Sequence, residues 1–151
     1  MHQITIEKIV PFSAKEMFDL IMDVESYPEF LPWCKDAKII ETHKDEDIIA
    51  DLNINFKAIH KKYTSKIAIN HISKNECEVF VRAIEGPFKK LETYWHFKDL
   101  NNRESKLYFD IDFEFHSKLL SSMLNFIFKK AKMKMVESFE ERAFQIYKPH
   151  A

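Results

Sequence analysis

Residues 117–147 read SKLLSSMLNFIFKKAKMKMVESFEERAFQIY, with no proline or glycine among them. Leu120, Leu124, Ile127, Ala131, Met135, Phe139 and Ala143 recur three or four apart, which places them on one face of a helix. One helix is therefore predicted from Ser117 to Tyr147, about 45 Å long at 1.5 Å per residue. An apolar stripe of that length needs an extended cover. The residues upstream are patterned to provide it.

From Lys35 to Phe115 apolar residues recur at alternate positions, the period of a half-buried strand. Strands are predicted at residues 36–42, 47–56, 60–70, 76–83, 90–97 and 106–115, with residues 2–10 forming another. The last of the series is the clearest. Leu107, Phe109, Ile111, Phe113 and Phe115 point one way, and Asp110, Asp112 and Glu114 point the other, toward solvent. The turns Lys44-Asp45-Glu46, Ser73-Lys74-Asn75 and Asn101-Asn102-Arg103 are too short for parallel crossovers, so an antiparallel meander is expected. A sheet apolar on one face needs one packing layer, and only the terminal helix is long enough. The fold class is α+β: a curved antiparallel sheet of about seven strands gripping a C-terminal helix.

Two short helices are expected after the first strand. Pro11 ends that strand, Ser13 and Glu16 have the spacing of a capping box, and Met17, Phe18, Leu20 and Ile21 carry the apolar face to about Val24. In Tyr27-Pro28-Glu29-Phe30-Leu31-Pro32-Trp33-Cys34 the two prolines leave room for one helical turn or bend that displays aromatic side chains. No repeat, low-complexity tract or linker divides the chain, so one domain over residues 1–147 is expected, with 148–151 as a frayed tail.

Fourteen phenylalanines stand against a single glycine, Gly86, so neither a dinucleotide turn nor a phosphate-cradling loop can be written. A net charge of -1 gives no overall attraction for DNA. The histidines at 2, 43, 60, 71, 96, 116 and 150 never pair at ligand spacing, so a metal would have to be assembled from distant strands. No cofactor is expected. Cys34 and Cys77 stand alone and read as small core residues rather than a disulfide. No nucleophile elbow appears, and Asp110 with Asp112 reads as a solvated pair rather than an acid/base couple, so no enzyme is expected. Neither a leader nor an apolar run near ~20 residues is seen, which points to a cytoplasmic protein.

Two parts of the last helix carry alternatives. Lys129, Lys130, Lys132 and Lys134 read as a solvated face, or as contacts to ribosomal RNA or anionic lipid. Ahead of them, Leu119 to Phe128 holds more apolar residues than one stripe uses. Either the short helices near Phe18 and Phe30 cover the excess, or this end lines a lipid-sized cavity or touches a membrane surface.

The blocks Tyr27 to Cys34, Tyr63-Thr64-Ser65, Gly86 to Leu91, Trp95-His96-Phe97, Phe113 to Ser117 and Met135 to Arg142 resemble the coenzyme Q-binding, START-like family of the polyketide cyclase/dehydrase (helix-grip) superfamily. Bacterial members are also described as ribosome-association toxins. The resemblance spans essentially the whole chain. Lys118 stands where members often carry a proline, a modest change at the helix start. The resemblance implies non-catalytic binding of ubiquinone or a related polyprenyl lipid between sheet and helix in support of respiration, with transient contact at the inner membrane. The walls are expected from Phe30, Trp33, Leu52, Ile54, Tyr63, Trp95, Phe109, Phe113, Leu120, Leu124 and Phe128, with Tyr63, His96 and Arg82 as candidate polar contacts to the quinone carbonyls. The alternatives are a toxin that binds the large ribosomal subunit and blocks subunit joining, and a cyclase-like enzyme.

Overall fold

A computed structural model of the chain describes residues 2–44, 47–56, 59–101 and 104–147, and their side chains except at 2–4, 56, 59, 120 and 123–134. The elements follow in the order β1 (His2–Val10), α1 (Ala14–Met22), a 3-10 helix (Val24–Glu29), β2 (Cys34–Thr42), β3 (Ile48–Phe56), β4 (Ile59–Ser73), β5 (Glu76–Glu85), β6 (Phe88–Asp99), β7 (Ser105–Phe115) and α2 (Lys118–Ile146). The strands form one antiparallel sheet in the order β1-β7-β6-β5-β4-β3-β2. It is the predicted meander, with β1 laid along β7.

Local chemistry explains the helix starts. At α1 the Ser13 hydroxyl accepts from the Glu16 amide at 3.1 Å while the Glu16 carboxylate accepts from the Ser13 amide at 2.9 Å, closing the capping box. The next turn lies earlier than the paired prolines suggest, at Val24–Glu29, with Pro28 inside it. Amides of Ser26, Phe30 and Leu31 carry its hydrogen bonds on either side of Pro28, which has no amide hydrogen to give. The Tyr27 hydroxyl donates to the Ile21 carbonyl and ties this turn to α1.

Alternation sorts the sheet faces as expected. Ile48, Ala50, Leu52, Ile54, Tyr63, Ile67, Val79, Leu91, Trp95, Phe97 and the odd-numbered residues from Leu107 to Phe115 are buried on the inner face. The outer face corrects one expectation. Asp112 is not solvated: it is only 8% exposed, and Lys90 donates to its Oδ2 at 2.7 Å. On this twisted face the long Lys90 side chain lies across the strand pair and covers it. Asp110 is partly exposed and accepts from the Thr5 hydroxyl at 2.9 Å.

The sheet bends by inserting residues rather than by using glycines. Thr64 faces Glu85 but Ser65 faces Ala83, so Ile84 is an extra residue in β5, and Lys89 is extra in β6 between the Phe88 and Lys90 pairings. Gly86 takes φ +132 where the β5–β6 turn crosses β4, and a Cβ there would lie 2.6 Å from the Tyr63 Cβ. This close approach requires the single glycine.

The helix α2 runs from the Phe115 end of the sheet toward Phe12. Val136, Phe139 and Ala143 are buried, and Phe12 meets Phe144 and Tyr147 at ring separations of 4.9 and 6.2 Å. Lys8 with Glu140 at 2.8 Å and Arg142 with Glu29 at 3.1 Å pin its C-terminal half to β1 and to the 3-10 helix.

Candidate functional site

The inner face divides into two aromatic groups. Toward the C-terminal half of α2, Trp95 lies 4.5 Å from Phe109 and 5.4 Å from Phe139, and Phe139 lies 5.1 Å from Phe30 and 5.3 Å from Tyr27. The Arg142 guanidinium sits 5.3 Å from the centre of the Phe30 ring. Here the helix fills the space. Toward the start of α2, Tyr63 lies 5.4 Å from Phe88, Phe88 stacks on Phe115 at 4.7 Å, and Phe115 meets Phe113 at 6.1 Å. These rings touch along the sheet.

The predicted wall residues are thus split between the two groups. Phe30, Trp95 and Phe109 gather around Phe139, whereas Tyr63 and Phe113 line the front group, and Leu52 and Ile54 are buried on β3 beside it. Trp33 is partly buried in the turn just before β2, and its carbonyl accepts from the Asn55 amide at 2.8 Å. The side chains of Leu120, Leu124 and Phe128, and of Lys129, Lys130, Lys132 and Lys134, lie outside the described residues. Phe18 and Phe30 make described ring contacts with His71 and with Tyr27 and Phe139 respectively.

Two polar candidates are corrected. Arg82 and His96 point to the outer face, because each is one residue out of step with its buried neighbours on β5 and β6. His96 Nε2 lies 2.6 Å from the Glu76 carboxylate, and Arg82 lines an open outer groove of about 480 Å³ with Lys66, Phe80, Glu92, Tyr94 and Asp112. Charge on several sides makes that groove a poor host for a hydrocarbon tail.

Sequence reasoning did not single out Phe88 or Phe115 as wall residues, or Ser65 as an inner polar group. The strand alternation carries all three, since 63, 65 and 67 share a face of β4 and Phe115 continues the β7 series. Polar groups on or beside the inner face include Tyr27, Cys34, Tyr63 and Ser65. Burial pushes both tyrosine hydroxyls well above the usual phenol range, and burial with the nearby Asp36 carboxylate pushes the Cys34 thiol up to about 12. At neutral pH these three groups are uncharged. They can hydrogen-bond to a ligand but are poor bases. Among the described residues no three His, Cys, Asp or Glu side chains converge as a metal site. No described helix is long and apolar enough to cross a membrane.

The chain is similar to known proteins in sequence and fold. Residues 10–140 match the family described as polyketide cyclase / dehydrase and lipid transport. The ribosome association toxin RatA of Escherichia coli K12 is 34% identical over 147 residues, covering 97% of this chain and 90% of that protein. The mitochondrial coenzyme Q-binding protein COQ10 homolog B of Xenopus laevis is 33% identical over 146 residues, covering 93% of this chain and 57% of that protein. A START superfamily protein from Mycobacterium smegmatis superposes with a TM-score of 0.80 at 19% identity, covering 97% of this chain and all of the other, and shares the fold. With a seven-stranded sheet closed over α2 and a match along most of its length, the chain belongs to the polyketide cyclase / dehydrase and lipid transport family.

Proposed function

We propose that the protein binds ubiquinone or a related polyprenyl lipid between the inner face of the sheet and the start of α2, without catalysing a reaction. The observation that carries this reading is the makeup of the front wall. Tyr63, Phe88, Phe113 and Phe115 offer flat apolar surface, and the polar groups near them are neutral hydroxyls and a thiol. Such a wall suits a ring with carbonyl oxygens and a hydrocarbon tail. At about 0.8 kcal/mol per buried CH₂ the tail supplies most of the affinity, so the few polar groups determine selectivity. The likeness to the coenzyme Q-binding protein supports the same ligand class. Loading requires contact with a membrane surface, and Leu119, 72% exposed in the first turn of α2, is suitably placed for it.

The test is direct. Protein purified from a quinone-producing cell and extracted with organic solvent should release ubiquinone, and added ubiquinone should quench the fluorescence of Trp33 and Trp95. An empty extract with no quenching defeats the reading.

A second reading, association with the large ribosomal subunit, is favoured by the match to RatA along 90% of that protein's length. It predicts co-sedimentation with that subunit that weakens steeply with salt and is lost when Lys129, Lys130, Lys132 and Lys134 become glutamine. Quinone binding should tolerate those four replacements. A cyclase, the third reading, needs a group near neutral pKa in the interior; Tyr27, Tyr63 and Cys34 are all pushed away from that range.

A further inference from the structure

Ser65 is an unusual residue on the inner face. It is 1% exposed, and its Oγ has no hydrogen-bond partner among the described residues. The sheet cannot supply one, because its lateral neighbours on the same face are Ala50 on β3 and Ala83 on β5, which present only methyl groups. Tyr63 and Ile67, two residues away along β4, stand on the same face. The insertion of Ile84 falls opposite Ser65, so the sheet bends at this position, and a bulge of this kind re-aims the side chains beside it. A buried hydroxyl without a partner is unfavourable, and natural structures rarely retain one without a use for it.

Extending the β5–β6 register one step beyond Arg82 and Glu92 brings Ala83, in the row Ala50, Ser65, Ala83, level with Leu91, which pairs with Phe113. This places Ser65 beside the front aromatic group rather than under Phe139, whose described ring contacts are with Trp95, Tyr27 and Phe30. The hydroxyl is closed to bulk solvent, and a group inserted between sheet and helix would supply the partner it lacks among the described residues. The alanines on either side leave Oγ without steric crowding from its lateral neighbours in the sheet.

We propose that Ser65 is the polar anchor of the interior, its hydroxyl donating to a carbonyl oxygen of the ligand's head group. The assignment rests on the lipid-binding reading above and adds the residue that recognises the ring oxygens. A site that hydrogen-bonds an oxygen discriminates against an analogue lacking it, because the buried hydroxyl is then left unpaired. The selectivity for a quinone over a plain hydrocarbon of equal length is therefore set at Ser65.

Ser105 supplies an internal control. It too is fully buried with no partner for its Oγ among the described residues, but it pairs with Val10 and Asp99 at the end of the sheet capped by α1. The experiment measures the binding of decylubiquinone and decylbenzene to the full chain by tryptophan quenching. Ser65→Ala should raise the Kd for decylubiquinone about tenfold and leave that for decylbenzene within about twofold, whereas Ser105→Ala should move neither. Ser65→Thr, which keeps the hydroxyl, should recover most of the loss. In the unaltered protein the carbonyl stretch of bound decylubiquinone should lie at lower wavenumber than in a hydrocarbon solvent, a readout that needs no variant to fold. Wild-type affinity for decylubiquinone in Ser65→Ala, or a carbonyl stretch equal to that in hydrocarbon, overturns the anchor while leaving the lipid-binding reading intact. Failure of the unaltered chain to bind either probe overturns both.

Discussion

The two ends of the inner face are built from the same strands with the same alternation, yet their contacts among the described residues differ. At one end Phe139 of α2 lies within 5.4 Å of the rings of Trp95, Tyr27 and Phe30, so the protein supplies both sides of the contact. At the other, Phe88 and Phe115 stack at 4.7 Å along the sheet, and Ser65 presents an unpaired hydroxyl between two alanines. Hydrophobic patterning decides which face is inside. It does not decide whether the inside is filled by the chain or reserved for something else.

Truncation should separate the two ends. Phe139→Ala is expected to have the largest effect, about 3–5 kcal/mol from the urea unfolding transition, because it opens a sealed cavity among several rings. On the proposed lipid-binding reading Phe88 borders the ligand, so Phe88→Ala should cost less, about 1.5–3 kcal/mol, with only the burial of the ring lost. It should also weaken quinone binding, which Phe139→Ala should leave largely intact in the folded fraction. Equal losses at the two positions would show that the front is ordinary core and remove the contrast.

Gly86→Ala tests the frame of the front wall. A side chain at φ +132 pressed against Tyr63 should cost about 1–3 kcal/mol and displace that ring. A stability equal to wild type would mean that the turn gives way without moving Tyr63. The smallest effect concerns the outer face. Hydrogen bonds from the Tyr94 hydroxyl at 2.5 Å and then from the Asn70 amide hold Glu78 below the usual carboxylate range. A depressed folded pKa stabilises above the unfolded value and is lost as pH falls through the folded one. Tyr94→Phe should therefore raise the Glu78 pKa, seen by carboxyl NMR, and lower stability slightly near neutral pH while leaving quinone binding unchanged.

Most of the fold was legible from period. Each predicted strand falls within about three residues of an observed one, and the Ser13–Glu16 cap forms as its spacing requires. The 3-10 helix lies earlier than its prolines suggest, because sequence shows where proline sits but not which amides around it find carbonyls. The burial of Asp112 is not legible, because alternation gives a side chain's face but not what a neighbouring lysine covers. The inner-face parity of the aromatic residues proposed as a wall was legible. Arg82 and His96 suit a quinone by chemical type but not by parity, whereas Ser65 has the inner parity and gives no sign in sequence of having alanines on both sides. Such neighbours come from register, which depends on inserted residues such as Ile84.

The two unpaired cysteines fall on opposite sides of this division. Cys34 pairs with Ile54 at the start of β2, near Tyr63, while Cys77 lies on β5 beside Phe97. Burial, aided by Asp36 at one and Asp99 at the other, pushes their thiols up to about 12 and about 11, so neither is a nucleophile while the structure is closed. Each therefore reacts with a thiol reagent only at the rate at which its own surroundings open. The chain thus carries a built-in pair of clocks, one for each end of its interior, and a lipid that enters at one end should slow one clock more than the other.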